Sequence, residues 1–258
     1  MSETVTLLHG SAGSGALWAP IRESLERHGF ATIAPDLIGY EQREASTIRN
    51  EGRLDDDVER LEKLIRNSDS PLHLVGYSYG GAVAMAYALS HPGSLASLTV
   101  IEPVVFYVLR YLKDYPAYNE VSGVRDQFDA SLRHGHVESA LEGFVDYWSG
   151  AGTWGRMPSD MRNAFVAWAP QIRANWEASF GADPGMSSLE QLKLNTLIVS
   201  GTLSPFASRR ICAGLNKLIE KSSLRFVEGA NHLLPLTHRA ELSELLLSHI
   251  TEPRQADH

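Results

Sequence analysis

Thiol chemistry is almost absent from this 258-residue chain, whose single cysteine is Cys212. An intrachain disulfide is thereby excluded, and so is a zinc site built from several thiolates. Cys212 falls in RRICAGL, a helix-forming run, and reads as a buried, inert thiol. Basic charge is also scarce. The 23 lysines and arginines are outnumbered by 31 acidic residues, for a net charge of -8, and no basic run is available to hold a phosphate backbone. Nucleic acid is therefore not an expected partner. No window approaches about 18 uninterrupted apolar residues, and the opening MSETVTLLHG lacks the basic start and apolar stretch of a signal peptide. The expectation from these absences is a cytoplasmic protein with no membrane partner. Fixed-period repeats and low-complexity tracts are missing too, and only the final TEPRQADH reads as disordered.

What is present is an alternation. Short apolar runs bounded by turn residues take turns with longer stretches of helical period, the pattern of a parallel sheet with crossover helices. The expected strands are Val5 to Leu8, Phe30 to Ala34, Leu72 to Val75, Leu95 to Ile101, Leu194 to Ser200 and Ser223 to Val227. Helices are expected over Ala16 to His28, Gly52 to Asn67, Tyr79 to Ser90, Pro205 to Ile219 and Arg239 to His249. In the second of these Leu54, Val58, Leu61, Leu64 and Ile65 mark an apolar face, with the acids and arginines on a solvated one. Between the fourth and fifth strands Val104 to Ser188 is far longer than one crossover needs. It carries helical periodicity of its own, and four of the five tryptophans, Trp148, Trp154, Trp168 and Trp176, fall within it. The expected organisation is a core of residues 1–103 and 189–258 with a helical cap, 104–188, inserted before the last two strands.

The residues that carry chemistry cluster where strands end. Gly76-Tyr77-Ser78-Tyr79-Gly80 is a G-x-S-x-G sequence that follows the apolar LHLV and opens into AVAMAYALS. A strand, a sharp turn and a helix are the setting of a nucleophile elbow: Ser78 is forced into a strained conformation, and small residues at 76 and 80 avoid collision with neighbouring backbone. Ser78 is the candidate nucleophile. The following helix aims its N-terminal amides at developing negative charge, so the Tyr79 amide is one candidate oxyanion donor. The first strand ends in Leu8-His9-Gly10-Ser11-Ala12, where Gly10 lets the loop bring a second amide, that of Ser11 or its neighbour Ala12, beside the nucleophile. His9 in such a loop reads as a structural hydrogen-bonding residue. Of the ten histidines, His232 in GANHLLP directly follows the last strand and is the candidate general base, with His238 as the alternative.

An HG loop, PDLIG, GYSYGG, a helical insertion and a terminal GANH in this order resemble the α/β-hydrolase superfamily across nearly the whole chain. The resemblance implies an α/β fold with a mostly parallel sheet of about six strands and a triad in the order nucleophile, acid, histidine. In most of the superfamily the acid lies after the strand that follows the insertion. Here that stretch is Gly201-Thr202-Leu203-Ser204, which holds no acid, so Ser204 is expected only as a neutral neighbour of His232. A subset of the superfamily carries its acid after the strand before the insertion. That strand ends here at Glu102, and Glu102 is the candidate acid, with Asp36, Asp183 and Asp146 as alternatives.

The implied chemistry is acyl transfer by a serine esterase or lactonase, with no metal and no organic cofactor. Its substrate would be a small, largely apolar ester, thioester or lactone held by aromatics, with Tyr77, Trp148, Trp154, Trp168 and Trp176 as candidate binding residues. Two alternatives stay open: a hydrolase of carbon–carbon bonds in ring-fission products, suggested by the HGSAGSGALW loop, and a ligand receptor that binds without turnover.

Overall fold

The computed structural model describes residues 3–41, 52–65 and 72–252. Six strands form: β1 (Thr4–Leu8), β2 (Ala31–Ile33), β3 (Leu72–Tyr77), β4 (Ser97–Ile101), β5 (Thr196–Gly201) and β6 (Ser222–Val227). They pair in parallel throughout, in the order β2-β1-β3-β4-β5-β6. Parallel neighbours cannot be joined by tight hairpins, and helices supply the crossovers. These are α1 (Ala19–Arg27), entered through a single 3-10 turn, α2 (Leu54–Ile65) and α3 (Tyr79–Ser90). Between β4 and β5 come α4 (Tyr107–Tyr111), α5 (Tyr115–Arg133), α6 (Val137–Ser149), α7 (Thr153–Arg156), α8 (Ser159–Gly181) and α9 (Met186–Glu190). The chain then adds α10 (Phe206–Leu218), α11 (Leu234–Thr237) and α12 (Arg239–Thr251).

Strand side chains alternate between two apolar layers, as a sheet covered on both faces requires. Val5, Leu7, Val75, Ile101 and Val199 pack toward Trp18, Ile21 and Leu25 of the α1 side and Leu242 and Leu246 of α12. Leu74, Leu98, Val100 and Ile198 pack on the opposite face, where α3 contributes Ala82 to Ala88. That second layer continues without a break into Phe106, Val121, Phe128, Leu141 and Trp176, so the inserted helices share a core with the sheet.

Two details of α2 differ from the sequence reading. Leu64 is exposed, whereas Asp57, assigned to the solvated face, is buried. Its carboxylate accepts from the Ile38 amide at 3.1 Å and the Tyr79 hydroxyl at 2.8 Å, which offsets the loss of water. The distal end of that expected helix, Asn67, and the tail 253–258 lie outside the described residues. Among the described residues no helix is long and apolar enough to cross a membrane.

Candidate active site

Strand register decides what meets at the carboxyl edge of the sheet. Tyr77 lies opposite Ile101, and Ile101 opposite Val199, so the residues that follow β3, β4 and β5 emerge side by side. Leu8 of β1 lies opposite Gly76, which brings the loop after β1 to the same edge. Ser78 sits at φ 54 and ψ -117, outside the conformations of ordinary L-residues, as an elbow demands. The glycines explain how that turn is accommodated. A Cβ on Gly76 would lie 2.3 Å from the Gly80 carbonyl oxygen, and one on Gly80 would lie 2.4 Å from that of His9.

Three side chains connect across this edge. The Ser78 hydroxyl lies 3.0 Å from His232 Nε2, and His232 Nδ1 lies 2.6 Å from Glu102 Oε2. With its proton on Nδ1, donated to the carboxylate, the imidazole leaves Nε2 to accept from Ser78. Glu102 is fully buried and, like Ser78, has a left-handed backbone, at φ 45. Its own N–H still donates to Val199 of β5 at 3.0 Å, so the strand is held up to the residue that breaks it.

The loop after β5 supports the carboxylate. Glu102 Oε1 accepts from the Gly201 N–H at 2.7 Å, from Ser200 at 3.3 Å and from the Ser204 hydroxyl, while Oε2 accepts from Ser208 at 3.2 Å. Burial opposes ionisation of Glu102, but the His232 imidazole and these donors outweigh it and hold the carboxyl below the usual carboxylate range. Ser204 thus differs from its sequence reading: its recorded partner is the acid, because its backbone is tied to Gly201 beside the end of β4. Ser200 and Ser208 were missed. The signal was available in VSGTLSPFAS, where serines recur every fourth residue around the loop that lacks an acid.

The remaining candidates are accounted for by local bonds. Asp36 accepts from the Gly15 amide at 2.8 Å and so ties β2's exit to the loop after β1. Asp146 accepts from the Gly152 and Trp154 amides at the start of α7, and Asp183 from Tyr111. His9 is fully buried: its Nδ1 faces the Gly10 carbonyl at 2.7 Å and its Nε2 accepts from the Leu37 amide at 2.9 Å. Burial lowers its pKa to about 4, so the ring is neutral at pH 7 and acts as a brace. His238 bonds the adjacent Thr237 at the exposed start of α12. Cys212 is buried, and that burial pushes its thiol up.

Above the sheet edge lies a cavity of about 470 Å³ whose lining includes Ser11, Ser78 and His232. A Cβ on Gly10 would sit 2.9 Å from that of Ser78, so only glycine lets the Ser11 loop approach so closely. The Tyr79 amide belongs to the first turn of α3, directly after Ser78. Tyr77, Trp148, Trp168 and Trp176 line the cavity. Trp148 lies 4.4 Å from the His232 ring between centroids, and Tyr77 donates its hydroxyl to the His232 carbonyl at 2.8 Å. Trp154 is not among the lining residues: α7 sets its indole edge-on to Phe165, which does line the cavity. The Tyr79 ring, a further aromatic beside the serine, points instead to Asp57.

Comparison with known proteins gives the relatives of the chain. The family model described as "alpha/beta hydrolase fold" matches residues 3–239. Lipase LipV of Mycobacterium tuberculosis is 34% identical over 102 residues, 39% of this chain and 37% of that protein. Lipase 3 of a Moraxella species is 31% identical over 107 residues, 41% of this chain and 33% of that protein. The aligned stretch therefore spans well under half the length of these curated relatives. Among solved structures, the enol-lactonase from Burkholderia xenovorans superposes with a TM-score of 0.74 at 17% identity, covering 98% of this chain and 92% of that one. That likeness concerns the fold.

Proposed function

Because the chain belongs to the alpha/beta hydrolase fold family, we propose that it is a serine hydrolase of small, largely apolar carboxylic esters, thioesters or lactones. The observation that carries this reading is the unbroken relay from Ser78 through His232 to Glu102 at the floor of a predominantly apolar cavity. His232 Nε2 takes the Ser78 proton as Oγ attacks the scissile carbonyl, and Glu102 stabilises the imidazolium that forms. The amides of Ser11 and Tyr79 receive the oxyanion. His232 returns its proton to the leaving alcohol, thiol or ring oxygen, and water then attacks the acyl-enzyme by the same route. Residues 1–103 and 189–258 act as the catalytic core. Residues 104–188 act as a cap whose Trp148, Trp168 and Trp176, with Tyr77, supply apolar contact to the substrate.

Lipases among the relatives and an enol-lactonase among the structural neighbours belong to the same ester and lactone class. Among the described residues that line the cavity there is no lysine or arginine. A dianionic or carboxylate-rich ring-fission product would enter it without a counter-charge, which favours neutral substrates. The test is hydrolysis of p-nitrophenyl acetate and butyrate by wild type and Ser78→Ala. Wild-type turnover that Ser78→Ala loses, by about 10³-fold or more on the precedent of other serine triads, is expected. Equal rates would sink the reading.

A further inference from the structure

Helix α8 turns Ile172, Asn175, Trp176 and Ser179 toward the cavity, at spacings of three, four and seven that place them on one face. Three of the four carry a polar atom out of reach of water and without a hydrogen-bond partner among the described residues: Asn175 Nδ2, Trp176 Nε1 and Ser179 Oγ. Asn175 is 2% exposed and Ser179 1%. Buried polar atoms are ordinarily paired, because an unpaired one forfeits its bond to water for nothing. Three of them on the helix face that lines the cavity are an arrangement that a ligand oxygen completes by displacing the atoms that now cover them.

The orientation of Asn175 is determined by its other end. Its Oδ1 accepts from the Ser11 hydroxyl at 3.0 Å and from the Tyr40 hydroxyl at 2.5 Å. Burial pushes the Tyr40 phenol up, so it stays protonated and able to donate. Its proton goes to Asn175 Oδ1, as does that of Ser11. The amide NH₂ is left without a partner among the described residues. Asn175 Nδ2 and the Ser179 hydroxyl are neutral groups, and no lysine or arginine is among the described residues of the lining, so the group they fit best is a neutral oxygen.

We propose that Asn175 Nδ2, assisted by the Ser179 hydroxyl, forms a polar subsite that binds a second, neutral oxygen acceptor of the substrate, a keto or ether oxygen on the acyl chain. The preferred substrates are then oxo- or alkoxy-acyl esters and lactones, not plain alkyl ones. This inference rests on the serine-hydrolase reading for its substrate class, but its binding arm does not need turnover.

Two matched pairs test it: p-nitrophenyl pentanoate against 4-oxopentanoate, and hexanoate against 5-oxohexanoate. The kcat/KM ratio within a pair, divided by the ratio of hydroxide-catalysed rates, should favour the oxo ester at least tenfold in one pair for wild type. It should fall to within about twofold in both Asn175→Leu and Asn175→Asp, the latter keeping an acceptor for Ser11 and Tyr40. Each ratio is measured on one preparation, so loss of folded protein cancels. In parallel, Ser78→Ala is titrated with the ethyl esters of the same acids by tryptophan quenching, and tighter binding of one oxo ester by about tenfold is expected. A wild-type ratio near one in both pairs together with equal binding would overturn the subsite, as would a preference that survives both Asn175 variants. Absent turnover with the binding preference intact would count against the hydrolase reading and for the subsite.

Discussion

Glu102 combines three properties that are individually costly: full burial, a left-handed backbone and a carboxylate charge. Each has an identifiable offset. The strain, on the order of 1–3 kcal/mol, is held by the Val199 bond on one side, and the charge by the Gly201 amide, the serine hydroxyls and His232. The donors differ in what they can do. In the proposed mechanism His232 exchanges a proton with Ser78 and so needs a negative charge behind it, whereas Ser204 only fills one lone pair of the carboxylate. Glu102→Gln keeps the shape and removes the charge, and is expected to lower kcat by about 10²- to 10⁴-fold on the precedent of triad acids. Ser204→Ala leaves the Gly201 and Ser208 bonds in place and should lower kcat by less than about tenfold. Steady-state kinetics on one p-nitrophenyl ester compares the two, and equal losses would mean that the β5 loop, not the charge on Glu102, sets the rate.

Elements were legible where a short pattern and a local steric rule coincide. β3 and α3 are joined by Gly76 to Gly80, and the same sequence that announces the elbow also forbids side chains at its ends. The expected helix Tyr79 to Ser90 accordingly has the observed limits. Substitution separates steric need from helix propensity. Gly80→Ala would drive a Cβ to 2.4 Å from backbone and should cost more than about 4 kcal/mol, a large share of the stability of an ordinary domain, read as a much lower urea midpoint. Gly143→Ala, inside α6 with nothing within 4 Å of the added Cβ, should raise stability by about 0.5–1 kcal/mol, read as a higher urea midpoint. What was not legible depends on contacts between elements distant in sequence. Leu54, Val58 and Leu61 reveal which face of α2 is apolar, but the burial of Asp57 on it depends on Tyr79 arriving from α3. Trp148 and Trp154 look alike in sequence, and only the packing of α7 beside Phe165 separates them. Asn175 left no sequence signal, because its anchors, Ser11 and Tyr40, lie more than a hundred residues away.

At the scale of the whole molecule, buried titratable groups make stability depend on pH, and their signs can be worked out one by one. His9 has a folded pKa of about 4 against an ordinary 6.5. Between those values the unfolded chain binds a proton that the folded chain refuses, so stability falls as pH drops through this window. An interval of about 2.5 pH units at about 1.4 kcal/mol each gives a full loss of about 3.5 kcal/mol, of which about 3 kcal/mol falls between pH 7 and pH 4. His249, also lowered by burial, acts in the same direction. Glu102 is a depressed carboxylate: its contribution is full above the ordinary carboxylate range and is lost only as pH falls through its lower folded value, so it enters after His9. Chemical denaturation across pH 4 to 7 should therefore show wild-type stability declining well before carboxylates titrate. His9→Gln, which retains a donor and an acceptor for Gly10 and Leu37 but cannot take a proton, should show a decline shallower by about 3 kcal/mol. It starts from a lower value at pH 7, because a flexible amide replaces a rigid ring between two loops. Parallel curves for the two proteins would mean that His9 keeps its ordinary pKa in the folded chain, and that the loop carrying Ser11 is braced by something other than a neutral imidazole.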